Sequence, residues 1–188
     1  MKLPAWLIAF FGKLYFFSTP FFFVYNPHVH KIKGHEARQI CDHLIPGDIL
    51  LSKSDGYISS RTIPGFWSHA AIYVGNNNVI HAIGEGVIME DVLAFVRTDH
   101  IVVLRFKKIS NEEILAAISK AHKMVDNKVK YDYNFTDNNG MVYCTEAVNN
   151  NFNNTFRENF EVVAGNSILT PEGIYNSTKL YNVIEFRH

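Results

Sequence analysis

The amino-acid sequence predicts an α+β domain in which an antiparallel sheet packs against helices. Short segments rich in Val, Ile and Leu, bounded by Gly, Asn or Asp, are typical of strands. They lie at residues 48–51, 69–74, 79–83, 101–106 and 183–186. Helical patterns are segregated from most of these strands, as in α+β proteins. The chain has 188 residues, of which 47% are hydrophobic, which is enough to form one core.

The first element of this domain is a short helix at residues 36–44, which a Pro-Gly pair terminates. The second and third strands are separated by residues 75–78, a Gly followed by three Asn, so we expect them to form a hairpin. His69 and His81 then lie on neighbouring strands. A register centred on this turn places both imidazoles on one face of the sheet.

The remaining helices are marked by their caps and apolar stripes. Ser110 and Glu113 form a capping box. The helix that follows has apolar residues at helical spacing: Ile114, Ile118, Ala121 and Val125. Another helix is predicted to begin at Cys144, and residues 169–175 are typical of a capped turn of helix.

Charge and cysteine content exclude some classes of function. Eighteen basic residues balance eighteen acidic ones, and no run of Lys or Arg is interleaved with aromatic residues, so we expect no nucleic-acid partner. The two cysteines, Cys41 and Cys144, do not form the dense disulfide framework of a small secreted domain. Cysteine usage therefore leaves the compartment open.

Residues 1–25 are apolar and rich in aromatic side chains. Lys13 and Pro20 interrupt the segment, so it does not resemble a membrane-spanning helix, and it has no clear signal-peptide cleavage site. Two interpretations remain, an arm packed on the protein's own surface and a helix lying in a membrane interface. We therefore divide the chain into this segment and a domain at 26–188, and we favour a cell-envelope or membrane-associated location.

The strongest chemical signal is Cys144 at the predicted start of a helix. Helix N-terminal amides favour a thiolate, so we expect a lowered pKa and a nucleophilic role. His69, at the start of a strand, is the candidate base, and His81 is the candidate residue that orients it. A nucleophile, a base and an orienting group are the set that acyl transfer requires.

Metal and cofactor chemistry is not expected. Histidines and Cys41 are frequent between residues 28 and 43, but their spacing does not match a zinc finger. Acyl transfer by a thiol needs no metal or organic cofactor. Asp48 is a candidate either to close a strand-end hydrogen bond or to border the site, and Tyr131 and Tyr143 are candidates to donate a hydrogen bond to an oxyanion.

Several short motifs, in this order, resemble those of a known family. They are Gly47-Asp48-Ile49-Leu50, Ser68-His69-Ala70-Ala71-Ile72-Tyr73, Val79-Ile80-His81-Ala82, Tyr131-Asp132, Tyr143-Cys144-Thr145-Glu146 and Thr170-Pro171-Glu172-Gly173-Ile174-Tyr175. Together they resemble the permuted papain-like hydrolases of the YaeF/YiiX type, which are circularly permuted relatives of the bacterial NlpC-type cell-wall peptidases.

The resemblance implies a permuted papain-like fold and gives the three residues their roles. Cys144 would be the nucleophile, His69 the base and His81 the polar residue that orients His69. Many bacterial members have Glu in the third position, whereas His81 is more like the NlpC and lecithin retinol acyltransferase branches. This difference leaves the substrate class open.

The predicted function is acyl transfer through a thioester to water, which makes the protein a cysteine hydrolase. The substrate is either a cell-wall peptide or an acyl amide or ester of lipid character, which an interfacial N-terminal segment would help to reach. The alternative is a non-catalytic, membrane-associated binding module that keeps the fold. An unreactive thiol would distinguish that module from the enzyme.

Overall fold

The structure is a computed structural model that describes residues 30–56, 63–136, 139–163 and 165–188. The predicted N-terminal segment, residues 1–25, and its boundary with the domain lie outside these ranges. No helix in the described part of the chain is both long enough and apolar enough to cross a membrane.

A mixed sheet-and-helix architecture confirms the predicted α+β class. The strands are β1 Ile49–Lys53, β2 His69–Gly75, β3 Asn78–Ile83, β4 Gly86–Asp91, β5 His100–Phe106, β6 Phe160–Val163, β7 Asn166–Leu169 and β8 Leu180–Phe186. The α-helices are α1 Gly34–His43, α2 Val92–Phe95, α3 Asn111–Asp126, α4 Cys144–Asn151 and α5 Pro171–Tyr175.

Six of these strands form one antiparallel sheet in the order β4-β3-β2-β1-β5-β8. The strands β6 and β7 form a separate hairpin. The predicted hairpin of β2 and β3 is present, and its turn has Asn76 and Asn77 at positive φ, a conformation that Asn tolerates better than most residues.

Two hydrophobic clusters cover the two faces of the large sheet, because side chains alternate between faces along each strand. We call the first the α4-side cluster; it includes Ala70 and Ile72 of β2 together with residues of α3 and α4. The second, the α2-side cluster, includes Ala71 and Tyr73 of β2 and residues of α1 and α2. Strand β2 is therefore buried on both faces.

Helix α3 has the N-terminal cap and the buried face that its sequence predicts. Its N-cap, Ser110, accepts a hydrogen bond from the Glu113 N–H, and the Glu113 carboxylate accepts one from the Ser110 N–H, so the predicted capping box is present. The helix buries Ala117 and Ala121 against the sheet. Ile118 and Val125 of the predicted stripe are partly buried and pack against the same cluster as Ala121, so this face covers the sheet as predicted.

Strand β4, helix α2 and the β6–β7 hairpin were not predicted from the sequence. In β4 the residues alternate between buried and more exposed positions only over its second half, and β6 is largely exposed. Short edge elements of this kind lack the apolar periodicity on which sequence interpretation depends.

Candidate active site

The loop before β2 is held in place by the helix α5. One carboxylate oxygen of Glu172 accepts the backbone N–H groups of Phe66 (2.7 Å) and Trp67 (3.3 Å). Gly65 has a φ of +93°, and a Cβ there would lie 2.4 Å from the Cβ of Glu172, so only glycine fits this close approach. The motif around residue 172 thus positions the chain that leads into His69.

The two predicted histidines meet across the β2–β3 hairpin. His81 lies opposite Ala71 in the strand register, and the Nε2 of His69 lies 2.8 Å from the Nδ1 of His81. This hydrogen bond confirms the expectation that the two imidazoles share one face of the sheet. It also fixes which ring nitrogen of each residue faces the other.

Phe95 of α2 packs against both imidazoles, with ring centroids 5.8 Å from His69 and 5.4 Å from His81. Sequence reasoning missed this residue, because α2 is a four-residue helix without a periodic pattern. Its contact keeps water from one side of the histidine pair and places the pair on the side of the α2-side cluster, to which Phe95 belongs.

Burial keeps both imidazoles neutral near pH 7. Desolvation lowers the pKa of His69 to about 3, with repulsion from His81 as the second cause, although the residue as a whole is only partly buried. Desolvation also lowers the pKa of His81, which is 6% exposed, to about 4. A neutral His69 is able to accept a proton, which is what a general base requires.

The second neighbour of His81 is a carboxylate that the sequence analysis did not identify. The Nε2 of His81 lies 3.4 Å from an Oε of Glu90 on β4. Val79 of β3 is paired with Glu90, two residues before His81, and side chains at this diagonal spacing share a face. Sequence reasoning missed Glu90 because it did not predict the strand β4, which places this carboxylate beside His81.

Cys144 is the first residue of α4, as predicted, and is buried at 5% exposure. It belongs to the α4-side cluster, and α4 packs against β2 and β3. The backbone of Ala70, the residue after His69, acts on the thiol and partly offsets the effect of burial on its pKa. Cys144 therefore meets β2 next to the catalytic histidine candidate.

The charge state of Cys144 corrects the sequence-based expectation. Burial raises the pKa of the thiol to about 11, and the backbone of Ala70, Thr145 and Cys144 only partly opposes this shift. The helix N-terminus does not outweigh desolvation, so the resting group is a thiol.

The three residues are thus brought together in part. His69 and His81 are bonded to each other on the side of Phe95, whereas the thiol of Cys144 packs with the opposite cluster. Among the described residues, no hydrogen bond joins the Cys144 sulfur to an imidazole; the two histidines bond to each other. The predicted contact of about 4 Å between Cys144 and His69 stays a prediction.

Of the two roles predicted for Asp48, the structure shows the strand-end hydrogen bond and not a place beside the site. Its carboxylate accepts two hydrogen bonds of 2.8 Å from Arg105 and one of 2.9 Å from the N–H of Ile45. It lies opposite Tyr73, at the end of β2 remote from His69, about 13 Å away along the strand. The residue stabilises the entry into β1.

The two tyrosine candidates have different surroundings. The hydroxyl of Tyr143, which is buried, accepts the N–H of Leu169 in β7 at 3.2 Å, and its role as an oxyanion donor stays a prediction. Tyr131 is partly buried, and burial raises the pKa of its phenol, with the charge of Cys144 as the second cause. Tyr131 also forms a bridge with Val142, two residues before Cys144, which places it near the thiol, and its raised pKa keeps the hydroxyl protonated.

A cavity of about 650 Å³ lies beside α4 and the loop that leads into it. It is lined by polar and apolar residues, which include Met124, Val142, Glu146, Asn149, Arg157 and Phe160. Cys144 does not line it. Among the described residues, no group of three His, Cys, Asp or Glu side chains is placed to hold a metal ion.

Comparison with known proteins identifies the family. Residues 43–178 match the family of permuted papain-like amidases YaeF/YiiX, family C92 of the peptidases. The chain belongs to this family. The match includes the histidine pair, Cys144 and the whole of helix α5, and it confirms the resemblance drawn from the sequence motifs.

A solved structure supports the fold independently. The crystal structure of the metalloprotein yiiX from Escherichia coli O157:H7 superposes with a TM-score of 0.65 at 17% sequence identity, and the alignment covers 78% of this chain and 99% of that chain. At this identity the likeness shows the permuted papain-like fold alone. A comparison with curated protein sequences finds no significant match.

Proposed function

We propose that this member of the amidase family is a cysteine-dependent hydrolase that works through a thioester on Cys144. The observation that carries the proposal is the 2.8 Å bond between His69 and His81, formed next to Ala70, whose backbone acts on the Cys144 thiol. The proposal requires Nδ1 of His69, the ring nitrogen that does not face His81, to reach the thiol when substrate binds, a contact that the described residues do not show.

The mechanism begins from two neutral groups, because burial disfavours both the thiolate and the imidazolium. As the Cys144 sulfur attacks the carbonyl carbon of an amide, its proton passes to Nδ1 of His69. The imidazolium then gives this proton to the leaving amine, and the C–N bond breaks. Water, deprotonated by the same imidazole, hydrolyses the thioester and releases the acid.

Two donors are proposed for the oxyanion that forms during attack. The first is the backbone N–H of Cys144, which points out of the start of α4 as a helix N-terminal amide. The second is the hydroxyl of Tyr131, which is electrostatically coupled to Cys144 and whose phenol stays protonated. Both would act where negative charge develops on the carbonyl oxygen.

The substrate is proposed to be either a cell-wall peptide or an N-acyl amide or ester of lipid character. The assay should compare hydrolysis of a peptide amide with that of short- and long-chain acyl amides, using the full chain. Rates that rise with acyl length favour the lipid class, since each buried methylene contributes about 0.8 kcal/mol. Rates independent of acyl length, with the peptide cleaved faster, favour the cell-wall class.

The same assay tests the proposed nucleophile. We expect Cys144→Ala to lose at least about a hundredfold in kcat, because no other group replaces the nucleophile. Cys41→Ala is the matched control, since Cys41 is the second free thiol and lies on α1. Full activity of Cys144→Ala would overturn the proposal.

A further inference from the structure

One ring nitrogen at the histidine pair has no hydrogen-bond partner in the described structure. The Nε2 of His81 is buried and makes no hydrogen bond, yet it lies 3.4 Å from an Oε of Glu90. A buried polar atom without a partner costs free energy. The orientation of Nε2 of His81 towards the Glu90 carboxylate therefore needs an explanation other than packing.

The tautomers of the pair explain the arrangement. If Nδ1 of His69 accepts the thiol proton, its Nε2 must carry a hydrogen and donate to Nδ1 of His81. His81 is then an acceptor at Nδ1, so its own hydrogen lies on Nε2, the nitrogen that faces Glu90. A carboxylate is an acceptor only, so Glu90 stabilises this tautomer of His81 and no other.

We infer that Glu90 is a positioning residue of the site, which holds His81 in the tautomer that orients His69. This inference rests on the proposed function for the role of His69. Glu90 does not touch the reacting atoms and takes no proton; its negative charge acts through His81 on the imidazolium that forms when His69 accepts the proton of Cys144.

The surroundings of Glu90 suit this role. It lies on β4, an edge strand, and its side chain is 36% exposed, so the carboxylate keeps contact with water. Its carboxylate lies 3.4 Å from Nε2 of His81, slightly beyond the range of a standard hydrogen bond. A small movement of the side chain closes the bond when charge develops on the histidine pair.

The tautomer of His81 is measurable without any substrate. Long-range ¹H–¹⁵N NMR spectra of the full chain labelled with ¹⁵N-histidine distinguish Nε2–H from Nδ1–H rings, and the His81 signal is assigned by its loss in His81→Asn. We expect Nε2–H in the wild type and in Glu90→Gln, whose amide oxygen still accepts. In Glu90→Leu we expect both tautomers, while Glu85→Leu, an exposed residue of the neighbouring turn, keeps the wild-type signal.

The kcat of the Glu90 variants distinguishes a positioning role of Glu90 from a role in folding alone. Glu90→Leu should lower kcat about tenfold with KM unchanged, a part of the usual contribution of general acid–base catalysis, and Glu90→Gln should restore most of it. A wild-type His81 protonated on Nδ1, a Glu90→Leu spectrum identical to the wild type, or an unchanged kcat would each overturn the inference. Activity that survives in Cys144→Ala overturns the proposed function instead and leaves the tautomer result standing.

Discussion

Two buried histidine clusters on the same sheet differ in how their ring nitrogens are satisfied. At the end of β5, His100 is bonded on both nitrogens: Nε2 lies 3.0 Å from the Asp55 carboxylate, and Nδ1 accepts the His188 N–H at 3.0 Å. In the hairpin of β2 and β3, His69 and His81 bond mainly to each other. The first arrangement is typical of a structural histidine, and the second leaves nitrogen atoms for chemistry.

The charges around the two clusters strengthen the contrast. Asp55 also pairs with Lys31 at 2.8 Å, so His100 is part of a fully paired network. The nearest carboxylate of the hairpin pair, Glu90, is 3.4 Å away and does not form a standard bond. A protein that needed these two histidines only for packing would satisfy them as it satisfies His100. The difference between the two clusters is that the ring nitrogens of the buried hairpin histidines are incompletely hydrogen-bonded, and this feature distinguishes the candidate site.

The largest expected effect comes from exchanging one histidine in each cluster for an amide. His69→Gln should lower kcat by at least about a hundredfold, the usual contribution of a general base, with little loss of stability. His100→Gln should keep kcat but lower the free energy of unfolding by about 2 kcal/mol, because it breaks a buried hydrogen-bonded network.

Steady-state kinetics and urea denaturation of both variants measure these effects. A loss of turnover in His100→Gln, or wild-type turnover in His69→Gln, would contradict the assignment of the hairpin pair as catalytic and of His100 as structural.

A smaller effect is expected from the two tyrosines. Tyr131→Phe removes a proposed oxyanion donor and should lower kcat by about tenfold to a hundredfold without changing KM. Tyr143→Phe removes an acceptor of the Leu169 N–H, so it should cost about 1 kcal/mol of stability and leave kcat near the wild-type value. Equal kcat values for the two variants would remove Tyr131 from the site.

The last effect concerns the acid sensitivity of the fold and depends on the hairpin pair. The pKa of His81 is lowered from 6.5 to about 4, so below pH 6.5 the unfolded chain binds the proton more readily than the folded chain. Stability is therefore complete above pH 6.5 and is lost as the pH falls towards 4. From pH 6.5 to 5 this amounts to about 2 kcal/mol for His81.

Urea denaturation at pH 7 and pH 5 measures this loss. His81→Asn cannot take up the proton, so its stability should fall less between the two pH values than that of the wild type. Parallel losses in the two proteins would show that His81 is already charged or solvent-exposed.

Much of the fold was predictable because its elements have regular patterns. The strands β1, β2, β3 and β5 and the helix α3 have apolar runs or caps that the sequence shows directly. The turn chemistry at residues 75–78 predicted the hairpin, and the hairpin brought the two histidines together. Motif order then identified the family, which no single motif would have done.

The rest of the site depends on contacts that local patterns do not encode. Glu90 and Phe95 come from β4 and α2, elements too short to show a period. The role of Asp48 could not be decided from the sequence, because its pairing partner Arg105 lies 57 positions away in the chain. The pKa of Cys144 was predicted in the wrong direction, because a sequence shows that a cysteine begins a helix but not how deeply the fold buries it.

The central claim is that Cys144 carries the acyl group and that His69 moves its proton. Mass spectrometry of the full chain mixed with an activated acyl ester, quenched in acid within the first turnovers, tests it most directly. We predict one acyl group on the peptide that contains Cys144, none on Cys41, and at least about a hundredfold slower acylation in His69→Gln. Turnover without any acyl-Cys144, or acylation that is as fast in His69→Gln, would contradict the account.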